Sequence, residues 1–229
     1  LPPDGVVGEA TLHMLEALRK AETGREGKKI PERDEGFVEA RYLTGQVVVV
    51  DPGHGGSDPG VIGRHGLLEK DYSLRVGLRL AQLLRAEGCR VRLTRERDET
   101  LDPYARAEIA DVLNADYFIA IHLAADPSPL ARGAACYYFE RNHYYSEHGQ
   151  KLADYIGAEL ATAGLPFVGS LGRNYAVLRE QRGIAVVVEP LFATNPADAA
   201  IAMQPGHADA LAGAILDGLS AYLARSNTC

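Results

Sequence analysis

The chain has no apolar run near the ~20 residues that a membrane-spanning helix needs, so no membrane span is expected among its 229 residues. It also lacks an excess of positive charge. Against 24 Lys+Arg stand 31 Asp+Glu, a formal charge of -7, which argues against a general binder of phosphate backbones and makes nucleic acid an unexpected partner. Cysteine is scarce: Cys89, Cys136 and Cys229 form an odd set with no CxxC spacing. Neither a disulfide framework nor a cysteine-based zinc site follows from that pattern. Cys89 and Cys136 fall in strand-like segments and read as small core residues, with one disulfide left open. No signal peptide opens the chain, which starts on Leu1 rather than Met. A trimmed or mature fragment is therefore expected, and missing targeting signals carry little weight. What remains is an ordinary globular composition, 46% hydrophobic, long enough for one good-sized domain and a small appendage.

Three segments are expected. Residues 1–22 begin with the turn Pro2-Pro3-Asp4-Gly5 and continue as a helix with Leu12, Leu15 and Leu18 on one side. Residues 23–45 are polar, mixed in charge and without sustained period, and read as a linker. From about Gln46 to the end, strand-like and helix-like patterns alternate. Strands are expected at Val47–Val50, Cys89–Thr94, Asp116–His122, Ala134–Glu140 and Ile184–Glu189. Helices are expected at Asp71–Glu87, Pro103–Asn114, Ser146–Ala163 and Gly206–Ala224. In the first helix Leu74, Leu78, Leu80, Leu83 and Leu84 are expected to face the core, and in the last Leu211, Ile215 and Leu219. Buried apolar strands alternating with helices imply an α/β fold: a mostly parallel twisted sheet with helices on both faces.

Chemistry concentrates at strand ends. Val47-Val-Val-Val50 runs into Asp51-Pro-Gly-His54-Gly-Gly-Ser-Asp58-Pro-Gly60, a glycine-rich loop that presents His54 just past the carboxyl end of a buried strand. His122 closes Asp116–Ile121, and Glu189 closes Ile184–Val188. In a parallel sheet these ends share one edge, so the three side chains can converge. Glu69, on the loop returning from His54, would complete a two-His, one-carboxylate set of the kind that holds catalytic zinc with one position open. Glu189, left over, is the candidate base; a carboxylate placed after five apolar residues needs compensation. Each residue alone has a plainer account, a hydrogen-bonded histidine on the rim or a glutamate capping the sheet, and only the joint pattern favours a site. His65, on the same loop as Glu69, is the rival ligand. His13, His143, His148 and His207 are expected to be solvated. Tyr137, Tyr138, Tyr144 and Tyr145 are expected to pack in the core and rim, with stacking against a sugar or peptide as the alternative. Without Lys-Ser/Thr after the glycine-rich loop, phosphate cradling loses ground.

Five ordered motifs carry a resemblance: VVVVDPGHGGSDPG from Val47 to Gly60, Gly66-Leu-Leu-Glu69-Lys70, Val91-Arg-Leu-Thr-Arg95 with Asp98, Ala115-Asp-Tyr-Phe-Ile-Ala-Ile-His122, and Val188-Glu189-Pro-Leu-Phe-Ala-Thr-Asn195-Pro196. Together they closely resemble the zinc-dependent N-acetylmuramoyl-L-alanine amidases of the amidase-3 type, over about residues 46–224. The resemblance implies that His54, Glu69 and His122 hold Zn2+, that Glu189 is catalytic, and that the substrate is peptidoglycan or a muropeptide. It also implies action at the cell wall, in a periplasm or on a cell surface. Whether a protein activator is needed is left open. Asp4-Gly-Val-Val-Gly8-Glu-Ala-Thr11 and the leucines that follow resemble the closing third of a three-helix peptidoglycan-binding module.

The chain departs from the family pattern at two places. Ala120-Ile-His122-Leu-Ala-Ala125 replaces the usual Ser-Ile-His followed by Asn-Ala, and Pro190 stands where Gly or another small residue is usual. Family members that are held shut carry a long helical insertion after the strand matching Ala134–Glu140. Here only the short turn Arg141–Tyr145 follows, so an uncovered site is expected. The alternative to a working amidase is a cell-wall-binding or regulatory homologue that keeps fold and metal without useful turnover. A zinc peptidase or a deacetylase is a weaker third reading.

Overall fold

The protein is described as a computed structural model covering residues 28–29 and 42–226. The amphipathic helix expected in residues 1–22, and with it His13, lies outside the described residues, as does most of the expected linker. Cys229 does too.

In chain order the strands are β1 (Lys28–Lys29), β2 (Val47–Pro52), β3 (Arg90–Leu93), β4 (Tyr117–Ile121), β5 (Ala134–Arg141), β6 (Tyr144–Tyr145), β7 (Phe167–Arg173) and β8 (Ile184–Glu189). The helices are α1 (Glu69–Ala86), α2 (Pro103–Leu113), α3 (Glu147–Thr162), α4 (Ala176–Arg179), α5 (Pro196–Ala202) and α6 (His207–Ser226). One sheet runs β3-β2-β4-β8-β5, with β7 and β6 both on β5 and β1 beyond β6. The first four strands of that order are mutually parallel, and β5 turns antiparallel to β8.

Both faces of the sheet are covered, which is why its central strands are apolar without alternation. Val48 and Val50 of β2 join a large core under α1, α3 and α6. Val49 faces the other way into a smaller core with Ala110 of α2 and with Val177 and Leu178 of α4. Capping explains where several helices begin. The Asp102 carboxylate accepts from Tyr104 N and Ala105 N, Ser146 Oγ accepts from Gly149 N, and Asn195 Oδ1 accepts from Ala197 N and Asp198 N.

Several expectations shift. α1 begins at Glu69, so Glu69 belongs to the first helical turn and not to the loop before it. The buried stripe of α1 is Tyr72, Val76, Leu80 and Leu84, with Ser73, Gly77 and Ala81 beside it; Leu74 and Leu83 are half-buried and Leu78 is exposed. The abundant leucines pulled the expected face off the true one. β7 escapes a propensity reading because Gly169 and Gly172 interrupt it, and it forms by pairing with β5. The short α4 and α5 offer too few residues to show a period. Cys89 and Cys136 are buried free thiols, as their core reading required.

Leu80→Ala, in the buried stripe, is expected to lower stability by about 2–5 kcal/mol in urea unfolding. Leu78→Ala should change it by less than about 1 kcal/mol; equal effects would contradict the orientation of α1.

Candidate functional site

Sheet register assembles the site. Asp51 of β2 is level with Ala120 of β4, and Ala120 with Val187 of β8. Two residues further on, the same register brings Gly53, His122 and Glu189 level. Backbone bonds continue the ladder there, from Gly53 N to Ile121 O (3.0 Å) and from His122 N to Val188 O (3.0 Å). Gly53 has no side chain for a reason: a Cβ would overlap the His122 imidazole.

His54 Nε2 lies 3.1 Å from Glu69 Oε1, and His122 Nδ1 lies 2.9 Å from the same oxygen. The two rings meet edge to face with centroids 4.9 Å apart. One donor atom from each of His54, Glu69 and His122 falls within 4.8 Å of the others, a grouping that could hold a metal ion. Glu69 is only 2% exposed. Its Oε2 accepts from Val61 N (2.8 Å) and its Oε1 from Leu123 N (3.0 Å). The N-terminus of α1 adds a favourable field for the carboxylate. Burial pushes the Glu69 carboxyl up, but the hydrogen bonds from His122 and His54 outweigh it and hold the group well below the usual carboxylate range. His54 is raised, first by its hydrogen bond to Glu69 against the opposing effect of burial.

Asp58, four residues after His54, takes the other ring nitrogen: Nδ1 lies 2.7 Å from Asp58 Oδ2. A carboxylate behind a histidine fixes which nitrogen is free to bind a cation, the arrangement found around metal-ligating histidines. Gly60, at φ 63°, passes so close that a Cβ would press on both Glu69 Oε2 and the His54 ring. The donor set thus fits a divalent cation: a buried carboxylate, two imidazoles aimed at it, and a backbone cradle kept clear for them.

The loop is held from beneath by two buried arginines. Arg106 donates to Asp51 Oδ1 (2.7 Å), Pro52 O (2.7 Å) and His54 O (2.7 Å). Arg95 donates to Pro52 O (2.9 Å), Gly53 O (2.9 Å) and Lys70 O (2.7 Å). Thr94 Oγ1 also donates to Asp51 Oδ1 (2.6 Å), while Asp51 Oδ2 is buried without a partner. At the loop's far side Asp98 accepts from Gly56 N (2.6 Å) and pairs with Lys70 (2.7 Å). The bulky polar residues of the third motif therefore serve the backbone of the first.

Glu189 faces the cluster across a cleft of about 670 Å3, whose walls include Leu101, Pro103, Tyr175 and Val177. Burial raises the Glu189 carboxyl above its ordinary value, against the opposing hydrogen bond from Tyr137. Tyr137 Oη donates to Glu189 Oε2 at 3.0 Å. Burial and the Glu189 charge push the Tyr137 phenol upward, so it stays a donor. His65 is exposed, on a short turn at φ 58°, and does not join the cluster. His143 is exposed as expected. The other two histidines correct that expectation: His148 Nδ1 lies 2.7 Å from Tyr222 Oη and His207 Nε2 lies 3.0 Å from Tyr72 Oη, both half-buried. Tyr138 packs in the core, whereas Tyr137 belongs to the site. Reading it as packing missed the tie to Glu189, which only the β5–β8 pairing makes. Arg106 had no motif to mark it; Asp58 had one, its place in the His54 loop. Between β5 and α3 stand only a tight turn and β6, with no inserted helix.

Fold and cluster together define an α/β protein with a candidate mononuclear metal centre at the carboxyl edge of a parallel sheet. The chain belongs to the N-acetylmuramoyl-L-alanine amidase family of the amidase-3 type, whose model it matches over residues 48–221. It is 36% identical over 187 residues to the probable cell wall amidase LytH of Staphylococcus aureus, covering 80% of this chain and 60% of that one. The chain thus spans less than two thirds of the length of that relative. Among solved structures, the N-acetylmuramoyl-L-alanine amidase AmiC2 of Nostoc punctiforme superposes with a TM-score of 0.74 at 32% identity, over 80% of this chain and 99% of that one. The CwlD amidase of Clostridioides difficile, solved in complex with the GerS lipoprotein, has a TM-score of 0.74 at 26% identity, over 79% and 99%.

Arg106→Ala would strand the buried Asp51 carboxylate and is expected to cost about 3–5 kcal/mol in urea unfolding. A loss under about 1 kcal/mol would show that the arginine is dispensable to the loop.

Proposed function

We propose that the protein is a zinc-dependent cell-wall amidase that hydrolyses the amide between the lactyl group of N-acetylmuramic acid and L-alanine in peptidoglycan. The observation that carries this reading is the convergence of His54, Glu69 and His122 opposite the raised carboxyl of Glu189. Family membership agrees with it. Nitrogen and oxygen donors from three side chains, with a position left over, form a donor set of the kind used by catalytic zinc sites. Zinc held there would supply Lewis acidity, lowering the pKa of a water toward about 7 and polarising the amide carbonyl.

The chain's own residues do the rest. Glu189 takes a proton from the attacking water and returns it to the leaving amine of L-alanine, which suits a carboxyl whose pKa burial has raised toward the working range. Tyr137 holds Oε2, leaving Oε1 free to handle that proton. Asp58 and the Arg95–Arg106 clamp keep His54 in place, so little reorganisation is needed when substrate arrives. The departures near His122 do not remove this support, because Glu69 is held by the backbone N–H of Leu123 and not by a side chain there. The substrate places the protein at the cell wall. No helix among the described residues is long and apolar enough to cross a membrane. A protein partner, as in the CwlD–GerS complex, is compatible with the absence of an inserted helix between β5 and α3.

Purified protein with zinc and muropeptides is expected to release free-amine peptide and glycan. Glu189→Ala should keep zinc and lose at least a hundredfold in turnover. His122→Ala should lose stoichiometric zinc, whereas His65→Ala should retain it. Near-normal turnover in the first, or retained zinc in the second, would remove the corresponding assignment.

The pH profile follows from burial. Glu189 must be ionised to accept a proton, so kcat/KM should fall as pH drops through its raised pKa, an acid limb above the ordinary glutamate value of 4.5. Tyr137→Phe deletes a hydrogen bond that favours the carboxylate, so the limb should move to still higher pH. A limb that stays put in that variant would belong to another group.

A further inference from the structure

We propose that Arg173 reads a carboxylate on the peptide side of the scissile amide, so that the enzyme prefers stem peptides with a free acid next to the released alanine. This rests on the amidase reading above and extends it to substrate choice.

The sheet order gives the cleft a direction. His54 follows β2, His122 follows β4, Glu189 ends β8, Tyr137 lies on β5, and Arg173 ends β7. Since Glu189 is the group that protonates the leaving amine, the peptide departs on its far side from the histidines, over β5 and β7. There the Arg173 guanidinium lies 5.3 Å from the centre of the Tyr137 ring. Tyr137 meets Tyr175 edge to face at 5.8 Å, and Tyr175 lines the cleft within reach of the Arg173 charge. Arg173 Nη1 donates to Gly172 O at 2.9 Å. One aromatic face and a carbonyl thus hold an exposed guanidinium near enough to Glu189 for its charge to act on that carboxylate.

Among the described residues, no carboxylate forms an ion pair with Arg173. The cleft, whose Glu189 and Tyr175 feel the Arg173 charge, is rich in acid: Asp58, Glu69 and Glu189 all line it. The arginine in its wall, Arg106, is spent on Asp51 and on backbone carbonyls. A substrate carboxylate entering such a field is repelled unless a cation receives it, and a planar guanidinium held on an aromatic face receives a carboxylate through two parallel hydrogen bonds. A neutral carboxamide at the same place gains no such charge-assisted pair.

The test compares two zinc-loaded proteins, wild type and Arg173→Gln, on two muramoyl peptides identical except that the residue after L-alanine bears a free carboxylate or a carboxamide. Wild type is expected to prefer the acid in kcat/KM by about 10–100-fold, mostly through KM, the range of one charge-assisted contact. Arg173→Gln should bring the acid-to-amide ratio near one, and Arg173→Lys should restore it in part. Because the readout is a ratio, an effect of Arg173 on Glu189 itself lowers both substrates alike and cancels. A wild-type ratio near one, or a ratio unchanged in Arg173→Gln, overturns the proposal. Cleavage of neither substrate by wild type overturns the amidase reading, and this one with it.

Discussion

A carboxylate buried at the start of a helix, with two imidazoles on one of its oxygens, is the constraint on which the rest depends. Glu69 leaves water almost completely, and an ionised carboxylate there is tolerable only because four donors meet it: His54, His122, Val61 N and Leu123 N. Those donors come from the β2 loop, the end of β4, the return of the loop and the segment after β4. Setting Glu69 in place therefore fixes the relative positions of three separate parts of the chain. A cation in that position would take over the two imidazoles, and the backbone amides would remain.

Rigidity of the loop is obtained from beneath it. Glycines at 53 and 60 are needed because neighbouring side chains occupy the space a Cβ would fill, yet glycine-rich backbone is costly to immobilise. Arg95 and Arg106 offset that cost by donating to the carbonyls of Pro52, Gly53 and His54 and, in the first turn of α1, to that of Lys70. Asp51 supplies a single buried countercharge to this pair. The result places a net positive layer directly under a cluster of carboxylates, which tempers their mutual repulsion.

Much of the fold could be read from residue order. Central strands with no polar alternation required cover on both faces, and the two opposed cores under β2 meet that requirement. His54, His122 and Glu189 were legible because each follows or ends an apolar run, and a parallel sheet sends such ends to one edge. The misreadings have local causes. In α1, leucines at 74, 78 and 83 outweighed Tyr72 and Val76 in a count of apolar residues, though the latter two are the fully buried ones. A solvated reading of His148 and His207 fails because a histidine on a helix gives no sign of the tyrosine across from it.

The sequence alone determined the class of sheet, the strand ends that carry chemistry, and the donor types available there, because each depends on periodicity and chain-local turns. Tertiary structure decided which donors meet. His65 and Glu69 lie four residues apart, yet only Glu69 turns inward, since it opens α1 while His65 sits on an exposed turn. Tyr137, Arg106 and Arg173 acquire their partners through sheet order, cross-strand pairing and the depth of a long side chain. These relations link residues far apart in the chain, 55 positions for Arg106 with Asp51 and 52 for Tyr137 with Glu189. No local pattern encodes them, because the free energy that selects them is that of burying polar groups only where a partner already waits.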